Sequence, residues 1–539
     1  MPLWRKNLII FQLDVHAISR QACGVKKLPI GIQTFSKIIE ENCYYVDKTK
    51  LIAELFEKGS YYFLSRPRRF GKSLFLDTIK EAFEGNQKLF QGLYLEHNWN
   101  WDKKHPVIRI DFGGGVLRNL EELDQKILEI LNEYANKESV FLKTESISGK
   151  FRELIMQLEK KYSQKVVVLV DEYDKPILDN ITNKNVARDM RDGLRNLYSV
   201  IKGADAFVKF VFITGVSKFS KVNLFSGLNN LEDITINPNS ATICGYTHEE
   251  LTSVFGEFLV DTNLEELRLW YNGYNFLGDK VYNPFDILLY LKNQEFKNYW
   301  FETGNPAFLI ELIQENNYNT INMEHIQVTE EQMGAFDVDS IELEVLLFQT
   351  GYLTIQKKER FQEEIIYTLA FPNMEVKKSL TSVILSSLSG IGSRTNKIKI
   401  SVYETLSKND LQGLKNIFYS FFASIPHDWY RKNTLANFEG YYASIFYCYF
   451  TALGLDVRTE DVTNHGQVDM TVFFENKVYV LEFKVIELTE TGSALSQIKE
   501  KKYYEKYLSS AANEIYLIGV EFSRDNRNIV NYEYEVVTL

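Results

Sequence analysis

The chain has 539 residues, a length that suggests three or four domains rather than one core. Hydrophobic residues make up 45% and charged residues 25%, which excludes a disordered chain. A net charge of −11 argues against bulk electrostatic capture of nucleic acid, though not against a local basic groove. Cys23, Cys43, Cys244 and Cys448 are too far apart for a zinc site or a disulfide framework and point to a reducing cytoplasm. No apolar run approaches the roughly 18–20 residues of a membrane helix. A signal peptide is not expected either, because Arg5-Lys6 is followed only by the short run Leu8-Ile9-Ile10-Phe11, broken at Asp14.

Residues 1–25 share no period with the rest of the chain and read as an N-terminal tail. Helical patterns at 35–42 and 51–58 lead to an apolar strand at 61–64, then to Arg66-Pro67-Arg68-Arg69-Phe70-Gly71-Lys72-Ser73 and a helix over 74–83. Strand, Gly-Lys-Ser loop and helix wrap a triphosphate, because loop amides and the positive helix N-terminus face the phosphates. Lys72 would reach the β/γ-phosphates, and the Ser73 hydroxyl would ligate Mg²⁺. The full pattern has a glycine five residues before Gly71, where this chain has Arg66. The loop must therefore start differently or lean on Arg66, Arg68 and Arg69.

A strand at 106–112 ends in Gly113-Gly114-Gly115, and helices follow at 117–134 and 149–162. The run Val166-Val167-Val168-Leu169-Val170 is closed by Asp171-Glu172; a helix at 185–202 leads to a strand at 208–214. Continuous β-branched runs alternating with helices predict a buried parallel sheet in a three-layer α/β domain. Asp171 is placed to hold Mg²⁺ and Glu172 to polarise an attacking water. A helix N-cap with a first-turn acid would use the same two residues. Thr214 suits sensing of the γ-phosphate, or ordinary strand-end hydrogen bonding. Arg188, Arg191 and Arg195 share a helix face that could act in trans on a second molecule's nucleotide, although a solvated charged face accounts for them as well.

From 246 to 395 the pattern is helical and aromatic, then mixed, with strands read at 346–355 and 365–371 and a polar linker at 393–399. Helices at 403–424 and 437–453 precede strands at 456–460, 469–474 and 477–485, a helix at 493–508 and a strand at 514–521. Glu482 and Lys484 are two apart and share a strand face, and the turn at Glu475-Asn476 can bring Asp469 beside them. Charges inside an otherwise apolar strand are expensive unless used. Two carboxylates can hold Mg²⁺ or Mn²⁺, which lowers the pKa of a bound water, and a nearby lysine can orient that water for phosphodiester hydrolysis. Glu439 could add a third carboxylate, and Gln497 could position substrate or water. Salt bridges on the wet face of a sheet are the plain alternative. His465 is left out of the site. The run Lys499, Lys501, Lys502 and Lys506, interleaved with tyrosines, reads as a solvated helix face or a local nucleic-acid patch.

With both clusters placed, the chain resembles a bacterial family joining an AAA-ATPase-like domain to a C-terminal domain of the PD-(D/E)xK nuclease superfamily. The carrying residues are Leu28-Pro29-Ile30-Gly31, Tyr45-Val46-Asp47-Lys48-Thr49, the Arg66–Ser73 loop, Asp171-Glu172-Tyr173-Asp174-Lys175-Pro176 and Thr214-Gly215-Val216-Ser217-Lys218. Trp270-Tyr271-Asn272-Gly273-Tyr274, Phe371-Pro372-Asn373-Met374-Glu375-Val376, Glu439-Gly440-Tyr441-Tyr442 and Asp469 with Glu482-Phe483-Lys484 complete the set. In this family Arg66 looks like the usual residue. Val468 stands where the superfamily name has proline, and Gln467 where arginine is common.

The expected architecture is α/β: a tail at 1–25, an AAA-like P-loop NTPase domain at 26–245, a helical lid and mixed linker at 246–395, and a restriction-endonuclease-like domain at 396–539. The expected nucleotide site comprises Arg69, Gly71, Lys72, Ser73, Asp171 and Thr214, with Ser73 and Asp171 on the metal and Glu172 catalytic. The expected nuclease site comprises Glu439, Asp469, Glu482, Lys484 and Gln497, the three carboxylates being metal ligands. ATP and Mg²⁺ (or Mn²⁺ at the nuclease site) are the expected cofactors and DNA the expected substrate, in a cytoplasmic protein without membrane contact that is free to form a homo-oligomer. The competing expectation is a nucleotide-dependent scaffold whose nuclease-like domain only grips a partner.

Overall fold

The computed structural model describes residues 26–218, 228, 230–301, 312, 323, 325–334, 339, 342–389, 395–425, 439–487, 493–508, 512 and 514–538. The expected tail, 1–25, lies outside them. The chain divides into two compact units: one runs to Leu264 and takes in Phe276–Phe296, and the other comprises Glu265–Asn275 and the chain from Lys297 on.

The first unit is built on strands β1 (Tyr61–Ser65), β2 (Val107–Asp111), β3 (Val166–Asp171), β4 (Val208–Gly215) and the short β5 (Glu232–Asp233). They pair in parallel in the order β2-β3-β4-β1-β5. Every residue of β1 and β3 is buried, as continuous apolar runs require of strands covered on both faces. Helix α1 (Phe35–Glu40) and helix α2 (Thr49–Lys58) precede the sheet, and α3 (Lys72–Phe83) leaves it directly after the loop. Helix α3 docks by aromatic contacts, with ring centroids 5.7 Å apart for Phe75–Phe212 and 5.3 Å for Phe83–Phe210. Helices α4 (Leu120–Lys137), α5 (Ile147–Tyr162) and α7 (Lys184–Gly203) pack on one another, and the one-turn α6 (Lys175–Leu178) follows β3.

Because β4 separates β1 from β3, the tips of all three stand side by side, with Leu64 opposite Thr214 and Val170 opposite Ile213. The chain reverses direction in strand order here, the usual position for a ligand crevice. The unit continues through β6 (Tyr246–Thr247), α8 (His248–Phe255), β7 (Val281–Tyr282) and α10 (Pro284–Asn293), with α9 (Leu264–Tyr271) between α8 and β7 in sequence.

In the second unit a small antiparallel sheet of β8 (Ile326–Thr329), β10 (Glu364–Ala370) and β9 (Thr354–Phe361) lies beside helix α11 (Glu330–Met333). Of residues 346–355, expected as a strand, the first half lies in helix α12 (Leu343–Thr350), closed by Gly351 at φ 91°, and only Thr354 and Ile355 belong to a strand, β9. Seven of the eight residues of α12 are buried, so its apolar run has no wet face and looks the same as a buried strand. Helix α13 (Met374–Ser389) follows. The expected linker at 393–399 is also corrected: Thr395 opens helix α14 (Thr395–Ser407), which buries Val402 and Leu406, while 393 and 394 lie outside the described residues. Helix α15 (Leu411–Ser424) is separate from α14 because Asn409 takes φ 57° and the Asp410 carboxylate accepts from the Gly413 N–H at 2.7 Å.

The larger sheet of this unit runs β11 (Asp456–Thr463), β12 (Gly466–Phe474), β13 (Lys477–Val485), β14 (Glu514–Ser523), β15 (Asn528–Thr538). Only β13 and β14 pair in parallel, with helix α17 (Ser493–Glu500) in the connection between them. Helix α16 (Glu439–Ala452) meets the sheet through Phe446, 5.1 Å from the Phe483 ring. Ile498, Tyr503 and Tyr507 share a buried cluster with Val478, Val480, Ile515 and Leu517.

Candidate functional sites

At the first site, Gly71 adopts φ 91° and opens α3, whose first amides receive no side-chain cap. A helix N-terminus left open after a left-handed glycine is an anion site by construction. Lys72 Nζ donates to the carbonyls of Arg66 and Pro67, both at 2.9 Å, and burial lowers its pKa. Ser73 lies close enough to the Asp171 carboxylate to help lower its pKa, and Asp171 Oδ2 accepts from Arg109 Nη2 at 2.9 Å. Burial raises the Asp171 pKa, the Asp111 charge adds to this, and Arg109, Ser73 and Lys72 oppose it. Asp171 Oδ1 and Thr214 Oγ1 are buried without a hydrogen-bond partner among the described residues. Two orphaned oxygens at neighbouring strand tips are a strain that a ligand would relieve.

Glu172 takes φ 50°, uncommon for a residue other than glycine and characteristic of functional turns. Burial raises its pKa, and Lys72 lowers it. A Cβ on Gly113 would lie 2.9 Å from Asp111 Oδ1 and 3.3 Å from Glu172 Oε2, so the glycine gives the two acids room. Asp77, Asp111, Asp171 and Glu172 thus gather around Arg109 and Lys72, four carboxylates against two cations. That deficit fits one divalent cation.

Arg66 is neither a defect nor a phosphate ligand. It is fully buried, and its guanidinium donates to the carbonyls of Ser65 (2.9 Å), Thr235 (2.8 Å), Ser240 (3.1 Å) and Ala241 (3.5 Å), with Phe276 stacked 3.7 Å away. Burial pushes its pKa down to about 10. Arg68 and Arg69 are exposed; Arg69 has φ 67° and lies 5.0 Å over the Phe285 ring. Asp174 is buried beneath the tip of β4, accepting from the Val216 and Ser217 amides and the Ser217 hydroxyl. On α7, Arg191 and Arg195 pair with Asp192, and Arg188 and Arg195 are exposed.

At the second site, β12 and β13 pair with Met470 opposite Leu481, which sets Asp469 against Glu482. The Asp469 N–H donates to Glu482 Oε2 at 3.3 Å, and the Phe483 N–H donates to Asp469 Oδ2 at 2.8 Å. Glu482 Oε1 accepts from Lys484 Nζ at 2.9 Å and from the Gln497 amide. Burial raises the pKa of both acids; that of Glu482 is pushed up to about 7 by burial and then by the Asp469 charge, against Lys484. Glu439 is the first residue of α16, and its side chain lies outside the described residues.

Gln497 reaches Glu482 because Gly519, opposite Glu482 on β14, has no side chain. A Cβ there would lie 2.4 Å from the Leu495 amide nitrogen of α17. Buried Glu521 accepts from the Ala494 N–H at 3.2 Å and from Asn531 Nδ2 at 3.1 Å, suspending the start of α17 over the sheet. Neither Gly519 nor Glu521 is among the residues expected from sequence, and an acid within the β14 apolar run was the available signal. Lys499 pairs with Glu535, Lys502 with Glu505 and Lys506 with Asp461, which favours the solvated-face reading of that run.

Among the described residues no three His, Cys, Asp or Glu side chains form a ready metal cage. Mg²⁺ is ordinarily held by one or two carboxylates with water and substrate phosphates completing the shell, which both sites could provide.

Glu482 carries a pH prediction. From its ordinary value of 4.5 up to about 7, the folded chain keeps a proton that the unfolded chain has released. Stability therefore falls as pH rises through that window, by about 2–3 kcal/mol. Urea unfolding in EDTA at pH 5 and pH 8 is expected to show this loss, Glu482→Gln to flatten it, and saturating Mn²⁺ to offset it. An unchanged slope in the variant would assign the effect elsewhere.

The model for the family described as "Predicted AAA-ATPase" matches residues 29–225, and that for the "PD-(D/E)XK nuclease superfamily" matches 437–532. A curated relative, "Uncharacterized protein in vnfD 5'region" of Azotobacter chroococcum mcd 1, is 51% identical over 511 residues, covering 95% of this chain and 99% of its own. The chain belongs to this AAA-ATPase-like, PD-(D/E)XK family. In this family member the first match spans the loop, Asp171 and Thr214, and the second spans Asp469, Glu482, Lys484 and Gln497. It is a nucleotide-binding and nuclease-like protein. None of its described helices is long and apolar enough to cross a membrane.

Proposed function

We propose that this protein binds and hydrolyses ATP at the first site and, under that control, hydrolyses phosphodiester bonds of DNA at the second with Mg²⁺ or Mn²⁺. The observation that carries the reading is the buried Glu482 set against half-buried Asp469, with Lys484 and Gln497 both bonded to Glu482 Oε1. Its cost in burial is hard to explain as packing. Asp469 and Glu482, with Glu439, would hold the cation, which supplies Lewis-acid stabilisation of the scissile phosphate. Lys484 orients the attacking water, and Gln497 fixes the Glu482 carboxylate. At the first site Lys72 and the α3 amides bind the phosphates, Ser73 and Asp171 hold the cation, Glu172 takes the proton of the water, and Thr214 reads the γ-phosphate.

The test incubates the full chain with ATP and either metal against duplex DNA, single-stranded DNA and RNA, scoring phosphate release and strand cleavage. Lys72→Ala is expected to weaken nucleotide binding between about ten- and a hundredfold, the worth of charge-assisted hydrogen bonds to phosphate. Failure to cut any substrate with either metal would overturn the nuclease half. The scaffold reading draws support from the paired lysines at 499, 502 and 506, which offer little free positive charge to a nucleic-acid backbone. It predicts nucleotide binding without turnover and no Mn²⁺ bound at Asp469.

A further inference from the structure

Arg109 sits inside the largely apolar strand β2, at the sheet edge. Its N–H donates to the Tyr134 hydroxyl at 2.8 Å, closing the open edge of the strand. Pairing sets Arg109 beside Leu169 and Asp111 beside Asp171, so the four side chains share one face of the sheet. From that face the guanidinium divides. Nη1 donates to Asp77 Oδ1 at 3.1 Å, and Nη2 donates to Asp171 Oδ2 at 2.9 Å with Asp111 Oδ2 at 3.6 Å. Asp77 belongs to α3, one turn beyond Ser73 and on the same helix face, and its other oxygen accepts from the Phe35 N–H at 2.7 Å.

We infer that Arg109 is the positioning residue of the nucleotide–metal site. It ties the loop helix to β3 so that Ser73 and Asp171 meet, and it occupies Asp171 Oδ2 so that Oδ1 is left for a divalent cation. The inference rests on the nucleotide reading above. It explains why Asp171 Oδ1 is the orphaned oxygen of that carboxylate. It also explains why the residue is arginine. A planar fork can grip two carboxylates on different elements at once, whereas a lysine ammonium offers a single point of attachment.

The test measures Mn²⁺ affinity by electron paramagnetic resonance in the full chain saturated with a non-hydrolysable ATP analogue, and analogue affinity separately in EDTA. Arg109→Met is expected to weaken Mn²⁺ binding by about tenfold or more, the usual cost of losing a partner that orients a metal ligand. Metal-free analogue affinity is expected to stay within about threefold, because Lys72 and the α3 amides are untouched. Arg109→Lys guards against misfolding of the first variant: it keeps the charge, loses the fork, and is expected to show a Mn²⁺ deficit as well. Millimolar guanidinium is expected to restore part of the loss in Arg109→Ala. Mn²⁺ affinity within twofold of wild type in Arg109→Lys and Arg109→Met overturns the inference while leaving the nucleotide reading intact. Wild-type chain that binds no analogue overturns the nucleotide reading first.

Discussion

Lys484→Ala is expected to abolish metal-dependent strand cleavage, with a loss between about a hundred- and ten-thousandfold, while ATP turnover stays within about twofold of wild type. Lys484 Nζ lies 2.9 Å from Glu482 Oε1 and is half-buried at the edge of the carboxylate pair. Removing it leaves Glu482 held by Gln497 and the Asp469 amide, so the fold and both proposed metal ligands are expected to persist while the group proposed to orient the water is gone. A variant that still cuts at the wild-type rate would show that the lysine only balances charge. Equal loss of both activities would show that the two units depend on each other more closely than separate sites imply.

Arg66→Ala is expected to destabilise the first unit by about 3–5 kcal/mol, enough to leave much of it unfolded at 37 °C. The guanidinium ties the start of the phosphate loop to Thr235, Ser240 and Ala241 and stacks on Phe276. Truncation strips donors from several buried carbonyls and leaves a cavity beneath the loop. Arg66→Lys is not expected to rescue, because one ammonium cannot span those acceptors. Urea unfolding followed by tryptophan fluorescence measures the effect, and a loss under about 1 kcal/mol would return Arg66 to the status of an ordinary loop residue.

Arg66 and Arg109 show where reading the chain as text stops. Strands β1, β3 and β4 were legible because short, near-continuous apolar runs between helical patterns fit strands covered on both faces. Asp171 and Thr214 were legible as strand ends, and the hairpin joining Asp469 to Glu482 followed from the period of two. The two arginines were not, since the partners of Arg66 lie about 170 residues away and those of Arg109 lie 32 and 62 residues away. Helix α12 was hidden by being apolar all round. Strand β15 was not among the expected strands, although Asn531, Glu533 and Glu535 alternate with Tyr532, Tyr534 and Val536 in the same period of two.

The contact between Gly519 and the backbone of α17 also dictates an order of assembly. The β12–β13 hairpin pairs locally and can bring Asp469 and Glu482 together early. Gln497 has no fixed place until β14 has docked in parallel beside β13 and presented Gly519 to Leu495. A chain emerging from the ribosome would therefore carry both acids long before the amide that orients one of them. The second site would be completed only once β14 has been synthesised, so a product truncated before β14 is expected to lack an oriented Gln497.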